Sequence, residues 1–398
     1  MRVLITTAPG YGHVFAPVPL GWAFRAAGHE VVLATAGRPE ADVGVAAWSG
    51  LPVVEVAAPA RMDAVRAELR ASRQRQAEQA KMSMVDLLAA MREQARGAAR
   101  VTEGHPFAFA AEIYGPYSAA MADGLLAFAE RWRPDLLVYE SMQGAGPLVA
   151  GRLGIPAVEF VPGLCRGPEL AVALRAYLAD RYADYRVSGP TETATVEVAP
   201  PSVAVNQPYG LASRFVPFNG PAVLADWLQH RPKRARVAVT FGSVVPHRLG
   251  LAPLRRALAD VGRIDAEFVV AVGAVDSGDV DGLPGNVRLH PGYLPLSALL
   301  PTCDAVIHHG GPASTLAALA AGLPQLVLPE MADQFVNAEA VRRRGCALAI
   351  EDGPVPATVL ARLLSDRGLA TAAAAVRDEI AALPSPHELV PKLAALAG

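Results

Sequence analysis

The feature that most constrains the fold is a regular alternation of short apolar runs with longer, Ala- and Leu-rich helical stretches. Most of the runs are continuously apolar over five or six residues, which is typical of parallel strands covered by helices on both faces. Repetition of strand, helix and strand predicts a doubly wound α/β architecture. The runs are residues 2–7, 30–35, 52–56, 135–140, 156–161, 236–241, 267–272, 286–290, 304–309 and 324–329.

The pattern occurs twice, and residues 199–235 separate the two copies. This stretch is rich in Pro, Gly and polar residues and lacks a long periodic segment, so it predicts an interdomain linker. We expect two Rossmann-like domains with parallel sheets that face each other across a cleft. Residues 60–130 exceed a simple crossover, which predicts an insertion lining a pocket for a variable ligand. The assigned units are an N-terminal domain (1–205), a linker (206–235), a C-terminal domain (236–380) and a C-terminal helix (381–398), for which packing back on the N-terminal domain is one option.

Composition disfavours several classes of protein. Lys and Arg total 36 against 38 Asp and Glu, so the formal charge of −2 argues against a nucleic-acid partner. The N-terminus lacks the long apolar region of a signal peptide, and a glycine and a proline interrupt the longest apolar stretch, residues 315–329. We therefore expect a cytoplasmic protein with no stable membrane insertion. An odd number of widely spaced cysteines supports neither a disulfide framework nor a zinc site; they are Cys165, Cys303 and Cys346.

The loop after the first predicted strand carries the first candidate site, APGYGHVFAPVPL (8–20). Ligands of open α/β sheets bind at the carboxyl ends of the strands, which places this loop at the cleft. It is not a dinucleotide fingerprint, because Phe15 stands where G-x-G-x-x-G needs its third glycine. Gly10 and Gly12 allow a sharp turn, and His13 then opens a helix. An imidazole there can remove a proton near neutral pH; the alternative is a helix-capping or structural role.

Glu140 ends the apolar run LLVYE, at the carboxyl end of another buried strand. A carboxylate at this position can orient a histidine and stabilise its protonated form, as the third member of a catalytic triad does. The alternatives are a surface glutamate or a charge at a helix N-terminus. The sequence thus predicts His13 and Glu140 as the catalytic pair.

The strongest signal is DAVIHHGGPASTLAALAAGLPQLVLP (304–329). Its strand ends in two histidines, two glycines make a turn, and a helix begins near a proline with hydroxyl residues in its first turn. Free N–H groups, a proline start and glycines that permit close approach describe an anion site, although a plain turn with a capped helix has the same features. We expect a diphosphate there. The residues assigned to it are His309, Gly310, Gly311, Ser314 and Thr315.

Two weaker signals accompany this site, and a third pattern is dismissed. Gly242 and Ser243 follow the first strand of the second domain and predict a second phosphate-facing turn. Asp333 and Gln334 follow a later strand and can bind neighbouring sugar hydroxyls. Residues 279–281 fit the D-x-D metal pattern, but they lie in a polar, turn-rich loop, so we predict no metal site.

The whole chain resembles the GT-B nucleotide-sugar glycosyltransferases of family 1, close to the actinobacterial enzymes that decorate antibiotics. The segments that carry the resemblance are GYGHVFAPVPL, RFVPFNGPAVLADWL, NVRLHPGYLPLSALLPTCDAVIHHGGPASTLAALAAGLPQLVLP and ADQFVNAEAV. The resemblance implies a GT-B fold whose N-terminal domain binds the acceptor and whose C-terminal domain binds the nucleotide sugar.

The resemblance also implies roles for individual residues. His13 matches the general base, and Glu140 stands where the family usually has an Asp that supports it. Ser243, His309, Gly311 and Ser314 match the phosphate-binding positions. Tyr293 and Leu294 match the nucleotide-base site, and Asp333 and Gln334 match the pair that holds the donor sugar. A second departure is Ala313, where the family often has a glycine.

The expected reaction is an inverting transfer from a dTDP- or UDP-sugar, with no cofactor and no metal. The expected acceptor is a hydrophobic polyketide-like or aromatic molecule, glycosylated on a hydroxyl or on an aromatic carbon. Rival interpretations are a non-catalytic auxiliary partner of a glycosyltransferase, a nucleotide-sugar 2-epimerase and a lipid-linked GlcNAc transferase. The sequence leaves a homodimer open.

Overall fold

A computed structural model describes residues 1–38, 42–98, 108–165, 168–188, 192–271, 282–290 and 292–398. The strands in these ranges are β1 (Arg2–Thr6), β2 (Glu30–Thr35), β3 (Val53–Glu55), β4 (Leu136–Glu140), β5 (Ala157–Val161), β6 (Glu192–Glu197), β7 (Leu211–Ala212), β8 (Ala235–Thr240), β9 (Ala266–Val270), β10 (Val287–Leu289), β11 (Ala305–His308), β12 (Gln325–Val327) and β13 (Ala347–Ala349).

The α-helices in the same ranges are α1 (Tyr11–Phe15), α2 (Val18–Ala26), α3 (Gly44–Ala47), α4 (Pro59–Gln79), α5 (Met84–Ala98), α6 (Ala108–Trp132), α7 (Ala145–Leu153), α8 (Glu169–Tyr177), α9 (Ala179–Asp184), α10 (Val244–Leu249), α11 (Ala252–Ala257), α12 (Leu296–Leu299), α13 (Pro312–Ala320), α14 (Gln334–Arg343), α15 (Ala357–Ser365), α16 (Arg367–Ala382) and α17 (Pro386–Ala394). None of them is long and apolar enough to cross a membrane.

The strands form two parallel sheets, which confirms the predicted fold class. The first sheet has the order β3-β2-β1-β4-β5-β6-β7 and the second β10-β9-β8-β11-β12-β13. Each of the ten predicted runs overlaps a strand. Every residue of β4, β5 and β9 is buried, because helices cover both faces. This burial is why these strands are mainly apolar, with one glutamate in each.

The predictions missed three strands, β6, β7 and β13, which lie at or next to sheet edges. The sequence of β6, ETATVE, mixes charged and apolar residues, and β7 and β13 are only two and three residues long. Strands near an edge face solvent more than central ones do, so they do not need a continuous apolar run.

The strand β7 also changes the description of the predicted linker (206–235). It pairs with β6, and the N–H of Ser213 donates to the Glu197 carbonyl at 2.8 Å. The first residues of this segment are therefore part of the N-terminal sheet. The rest of the segment contains one 3₁₀ turn, Asp226–Leu228, before β8 begins.

The strand order reverses at one point in each sheet, between β1 and β4 in the first and between β8 and β11 in the second. In doubly wound sheets the crevice at such a reversal is where ligands bind. The predicted site loops follow β1, β4, β8 and β11, so the topology brings each pair of loops to one crevice.

The last two long helices connect the two sheets. Helix α16 packs against α13 of the second sheet, and α17 packs against α2 of the first. The side chain of Asp366 caps α16, and Ser385 and Glu388 form a capping box at the start of α17. Leu389 and Leu393 lie in one apolar cluster with Phe24 of α2.

Candidate active site

His13 is placed by a tight turn at the end of β1. Gly10 has φ +113°, a conformation that L side chains rarely adopt, and α1 begins at the next residue. Val14 and Phe15 are buried on the inner side of this short helix. The His13 side chain therefore points the other way, toward the crevice, and is 22% exposed.

Glu140 is fully buried at the end of β4, the strand beside β1. Its Oε2 lies 3.2 Å from Nδ1 of His13, and its Oε1 accepts from the backbone N–H of Met142 at 3.2 Å. Neither Nδ1 nor Oε2 has another hydrogen-bond partner among the described residues. The structure therefore brings together the two residues predicted as the catalytic pair, and the glutamate, longer than the usual aspartate, reaches the histidine.

The charges around His13 raise the pKa of its imidazole. Burial lowers this pKa, but the charge and hydrogen bond of Glu140 and the nearby charge of Asp333 outweigh burial. A carboxylate accepts hydrogen bonds and does not donate them, so Nδ1 of a neutral His13 carries the proton. The lone pair of the neutral imidazole is then on Nε2, the nitrogen that faces the crevice.

Tyr114, which the sequence reasoning missed, makes a hydrogen bond to that nitrogen. The Tyr114 hydroxyl lies 2.9 Å from Nε2 of His13, and the two rings meet edge to face with centroids 5.0 Å apart. Burial, followed by the charges of Glu140 and Asp333, raises the pKa of the Tyr114 phenol. Tyr114 therefore keeps its proton and donates it in the hydrogen bond to Nε2. No local motif marks a tyrosine inside α6, 101 residues from its partner.

The second crevice is built around His309, whose ring lies between Gly242 and Gly311. A β-carbon on Gly242 would lie 2.9 Å from Cε1 of His309, and one on Gly311 would lie 2.5 Å from its Nε2. Both distances are shorter than real contacts, so the ring fits only because both neighbours lack a side chain. Gly242 has φ +62°, whereas Gly311 has φ −61° and is required only for space.

The two adjacent histidines have different surroundings. Burial, followed by the charge of His308, lowers the pKa of His309 to about 3, so the ring is neutral at physiological pH. Its Nδ1 is buried and has no hydrogen-bond partner among the described residues. His308 is fully buried and its Nε2 contacts Oε1 of Gln325 at 2.8 Å. His309 is thus the histidine of the pair with an unused polar atom beside the turn.

Helix α13 begins directly after the two glycines. Gly311 is its N-cap and makes no side-chain cap, and Pro312 is its first residue. The first intrahelical bond runs from the N–H of Thr315 to the Gly311 carbonyl at 3.0 Å, so the N–H groups of Ala313 and Ser314 precede it. The Thr315 hydroxyl donates to the same carbonyl at 3.0 Å and the residue is fully buried. Thr315 therefore ties the first turn together, and Ser314 is the hydroxyl residue left near the anion site.

The predicted sugar-binding pair begins α14. Asp333 is its N-cap, and its Oδ2 accepts from Asn337 at 3.1 Å. Burial raises the pKa of Asp333, opposed by that hydrogen bond and by the charge of His13. Oε1 of Gln334 accepts from the backbone N–H groups of Glu330 and Met331 at 2.9 and 3.1 Å. The oxygen of Gln334 thus holds the loop in shape, and Asp333 has the closer electrostatic link to His13.

The remaining predicted residues are placed as follows. Ser243 is exposed at the N-cap of α10, directly after Gly242. Leu294 is buried in the apolar core of the second sheet with Leu299. The Tyr293 ring is 37% exposed and lies 5.7 Å, centroid to centroid, from Tyr11. Of the two residues predicted at the nucleotide base, only Tyr293 therefore presents a surface to a ligand. The D-x-D segment (279–281) lies outside the described residues.

The two crevices face each other. The charges of His13 and Asp333 each act on the other's pKa, although they belong to different sheets. A β-carbon on Gly163, in the loop after β5, would lie 3.7 Å from Pro312 at the start of α13. The candidate base His13, the predicted sugar-binding residue Asp333 and the predicted anion site at the start of α13 therefore border one cleft. The described residues contain no cluster of three or more His, Cys, Asp or Glu side chains that could hold a metal ion.

Helix α5 of the insertion reaches the donor side of this cleft, a contact that sequence reasoning missed. Nη1 of Arg92 lies 2.9 Å from Asp352, and Nε of Arg96 lies 2.8 Å from Glu351. Both guanidinium groups also lie over the Phe335 ring, 5.4 and 5.8 Å from its centroid. Phe335 follows Gln334 in α14, so α5 is fixed directly above the predicted sugar-binding loop.

The chain is similar to known proteins in sequence and in structure. Models of the Erythromycin biosynthesis protein CIII-like N-terminal and C-terminal domains match residues 22–242 and 255–396. The elloramycin glycosyltransferase ElmGT of Streptomyces olivaceus is 37% identical over 99% of this chain and 97% of its own. The structure of the glycosyltransferase SnogD from Streptomyces nogalater has a TM-score of 0.79 at 36% identity, over 100% of this chain and 99% of SnogD.

A third relative was solved with a nucleotide. The spinosyn rhamnosyltransferase SpnG in complex with thymidine diphosphate has a TM-score of 0.78 at 28% identity, over 99% of this chain and 100% of SpnG. The chain therefore belongs to the Erythromycin biosynthesis protein CIII-like family. It is a family 1 GT-B glycosyltransferase of the antibiotic-biosynthesis type and depends on a nucleotide sugar, as the resemblance predicted.

Proposed function

We propose that this enzyme transfers a sugar from a dTDP- or UDP-sugar to a hydroxyl of a hydrophobic, polyketide-like or aromatic acceptor, with inversion at the anomeric carbon. The observation that carries the proposal is the position of His13. Glu140, 3.2 Å from Nδ1, sets the tautomer that leaves the lone pair on Nε2, and the Asp333 carboxylate of the opposite sheet is close enough to raise the His13 pKa.

In this mechanism the acceptor O–H gives its proton to Nε2 of His13 as its oxygen bonds to the anomeric carbon. The bond from that carbon to the diphosphate oxygen breaks at the same time, and its electron pair leaves with the nucleoside diphosphate. Attack from the face opposite the leaving group inverts the anomeric carbon. Glu140 stabilises the imidazolium that forms, and Asp333 holds the donor sugar by its hydroxyls.

The leaving diphosphate is stabilised by groups of the second crevice. The free N–H groups of Ala313 and Ser314 and the positive end of the α13 dipole point at the position proposed for it. Donors already in place at the developing charge lower the barrier without reorganisation. We therefore propose a reaction that needs no metal ion, and we expect excess EDTA to leave turnover unchanged; loss of turnover that Mg²⁺ restores would contradict this.

The choice of donor nucleotide is supported by three related structures. SpnG, SsfS6 and VinC were each solved with thymidine diphosphate. We propose dTDP as the first choice and UDP as the second. Calorimetry of the protein with dTDP, UDP, GDP, ADP and NAD, without added metal, tests this choice. Binding of dTDP or UDP alone supports it, whereas the absence of binding or binding of NAD alone contradicts it.

The acceptor class is likewise proposed from relatives. SpnG was solved with spinosyn aglycone, and ElmGT is named for elloramycin. The helical insertion α4–α6 stands over the base, where the acceptor must lie to reach Nε2. A screen of polyketide and aromatic aglycones, with mass spectrometry and NMR of the products, tests the class and distinguishes an oxygen-linked from a carbon-linked sugar.

Replacement of His13 tests the base. We expect His13→Ala to lower kcat by about 10²- to 10⁴-fold, the usual contribution of general base catalysis, and to leave dTDP affinity unchanged because the nucleotide binds in the opposite domain. The matched control is His387→Ala, which removes an exposed imidazole at the start of α17. Wild-type turnover in His13→Ala would overturn the assignment of the base.

A further inference from the structure

The hydrogen bond between Tyr114 and His13 has a consequence for the reaction, which rests on the proposed role of His13 as the base. Nε2 of a neutral imidazole has one lone pair and accepts one hydrogen bond. In the structure the Tyr114 hydroxyl, 2.9 Å away, already uses that lone pair. An acceptor hydroxyl must come within about the same distance to give up its proton. Tyr114 and the acceptor therefore compete for one site.

From this competition we propose that Tyr114 protects the base from water. Its hydroxyl hydrogen-bonds to Nε2 of His13 and excludes water from that nitrogen until the hydroxyl of the sugar acceptor displaces it. A glycosyltransferase holding only its donor risks hydrolysis. In that side reaction a water O–H gives its proton to Nε2, the water oxygen bonds to the anomeric carbon, and the bond to the diphosphate breaks with its electron pair leaving on the diphosphate. A phenol on Nε2 blocks the first of these events.

Tyr114 is suited to this task because it cannot itself become the nucleophile's base. Its phenol keeps its proton, since burial and two nearby carboxylates disfavour the phenolate. Its ring is half-buried and packs against the apolar cluster formed by α6 and α8, which includes Leu170 and Leu174. The side chain therefore closes the apolar side of the crevice while its hydroxyl marks where the acceptor oxygen must arrive.

The position of Tyr114 in α6 is also consistent with displacement by an acceptor. Pro116 lies inside this helix, two residues further on, and a proline removes one intrahelical hydrogen bond and crowds the preceding turn. Gly115, between them, leaves room only for the Tyr177 ring, 2.4 Å from where its β-carbon would be. Tyr114 therefore lies in a turn of α6 that lacks the intrahelical hydrogen bond of residue 116, and the Tyr177 ring packs against Gly115 in the same turn.

Tyr114→Phe tests the proposed role of the Tyr114 hydroxyl, because it removes the hydroxyl and keeps the ring. The donor is the nucleotide sugar that gives the highest wild-type transfer in a screen beginning with dTDP-glucose. Without acceptor, release of the nucleoside diphosphate should rise roughly three- to tenfold, the factor that one neutral hydrogen bond is worth. With acceptor, KM for the acceptor should fall by a similar factor, while kcat stays within about twofold because the phenol takes no part in the transfer.

Two control variants distinguish this proposal from a general effect of removing a phenol hydroxyl and from hydrolysis that does not use His13. Tyr185→Phe removes another phenol hydrogen bond to α6, the one to Asp123 on the exposed side, and should change neither hydrolysis nor KM. In the double variant of His13→Ala with Tyr114→Phe, hydrolysis should fall back to the level of His13→Ala alone, since the base that water uses is absent.

Three outcomes would contradict the proposed role of Tyr114. Unchanged hydrolysis and KM in Tyr114→Phe would show that the contact has no functional effect. A large loss of kcat in Tyr114→Phe would show that the phenol is required in the transfer. An equal rise of hydrolysis with and without His13 would show that the Tyr114 hydroxyl excludes water independently of the base. Failure of the proposed role of His13 is distinguishable from these outcomes, because the single variant His13→Ala, with Tyr114 intact, would then transfer the sugar at the wild-type rate.

Discussion

At the residue scale, one buried carboxylate determines what His13 can do. Glu140 has no solvent contact, and its Oε2 faces Nδ1 at 3.2 Å. It therefore fixes the ring's orientation and its tautomer, and it raises the pKa of the imidazole against the effect of burial. The glutamate at the end of β4 therefore stands where the sequence analysis predicted the partner of His13.

The pH profile should reveal this effect. Only neutral His13 can accept a proton, and Glu140 raises the His13 pKa, so the neutral form appears at a higher pH than it otherwise would. In Glu140→Gln the acid limb of the kcat/KM profile should therefore move to lower pH, by about one unit or more for a charge at this distance, with a lower plateau. Glu130→Gln, at an exposed position of α6, should leave the limb in place. A limb that stays or moves up would contradict the assigned pairing.

At the scale of the element, the start of α13 depends on a glycine that its backbone does not require. Gly311 has φ −61°, which any residue adopts, yet its β-carbon would lie 2.5 Å from the His309 ring. Space for the ring, not conformational freedom, is what this position needs. The His309 ring and the helix start are therefore fitted to each other.

Gly311→Ala should test that fit. The added methyl group must push the His309 ring out of place, so we expect dTDP affinity to fall by about tenfold or more, a change of roughly 1.4 kcal/mol. The control is Gly97→Ala in α5, where a β-carbon meets nothing within 4 Å. Calorimetry gives both affinities. Wild-type affinity in Gly311→Ala would mean that the position of the ring does not matter for the nucleotide.

The insertion helix α5 makes a second contact at this scale. Arg96 reaches Glu351 at 2.8 Å and Asp352 at 2.5 Å, so a helix of the first domain is ion-paired to the segment after β13 of the second. Because these carboxylates are 40% and 66% exposed, the pairs add little to stability, about 1 kcal/mol or less each. Their contribution is to hold α5 over the sugar-binding loop.

Arg96→Ala should therefore change substrate binding more than stability. We expect KM for the nucleotide sugar to rise a few-fold at low ionic strength. In the wild-type protein KM should rise with salt, whereas in the variant it should depend on salt less, because salt screens exposed charges. Arg75→Ala removes an exposed ion pair with Glu68 on α4 and serves as the control. Identical salt dependence in Arg96→Ala and the wild-type protein would contradict this function of α5.

At the scale of the whole molecule, the C-terminal helices tie the two sheets together. Helix α16 lies on the second sheet's α13, and α17 lies on the first sheet's α2. The apolar cluster that includes Leu389 also contains Leu316 of α13 and Phe24 of α2. The relative placement of the proposed base and the proposed nucleotide site therefore depends on residues of α16 and α17.

Leu389→Ala should destabilise the molecule strongly. Leu389 is 2% exposed, and truncation of a buried leucine costs about 2–5 kcal/mol. We expect the denaturant midpoint of unfolding to fall accordingly. Leu224→Ala, at a side chain 53% exposed in the segment before β8, should change it by less than about 0.5 kcal/mol. A comparably small effect at Leu389 would show that α17 contributes nothing to holding the two sheets together.

The sequence by itself determined the central strands and the residues at their carboxyl ends. Continuous apolar runs identify strands buried on both faces, and the turn chemistry of Gly10, His13, Gly242 and the His309–Ser314 segment is local, so it can be read without the fold. Of the strands near the edges, β6 was missed because its sequence mixes charged and apolar residues, and β13 was missed because it is only three residues long.

Only the tertiary structure decided which of these residues meet and which are used up. Tyr114 reaches His13 across 101 residues, and Arg96 reaches Asp352 across 256. No spacing in a sequence encodes such contacts, because they depend on how helices cross the sheets. The same packing turned Leu294 into the core and tied the Thr315 hydroxyl to Gly311. A local pattern shows which groups a segment offers, but the direction of each side chain follows from the packing around it.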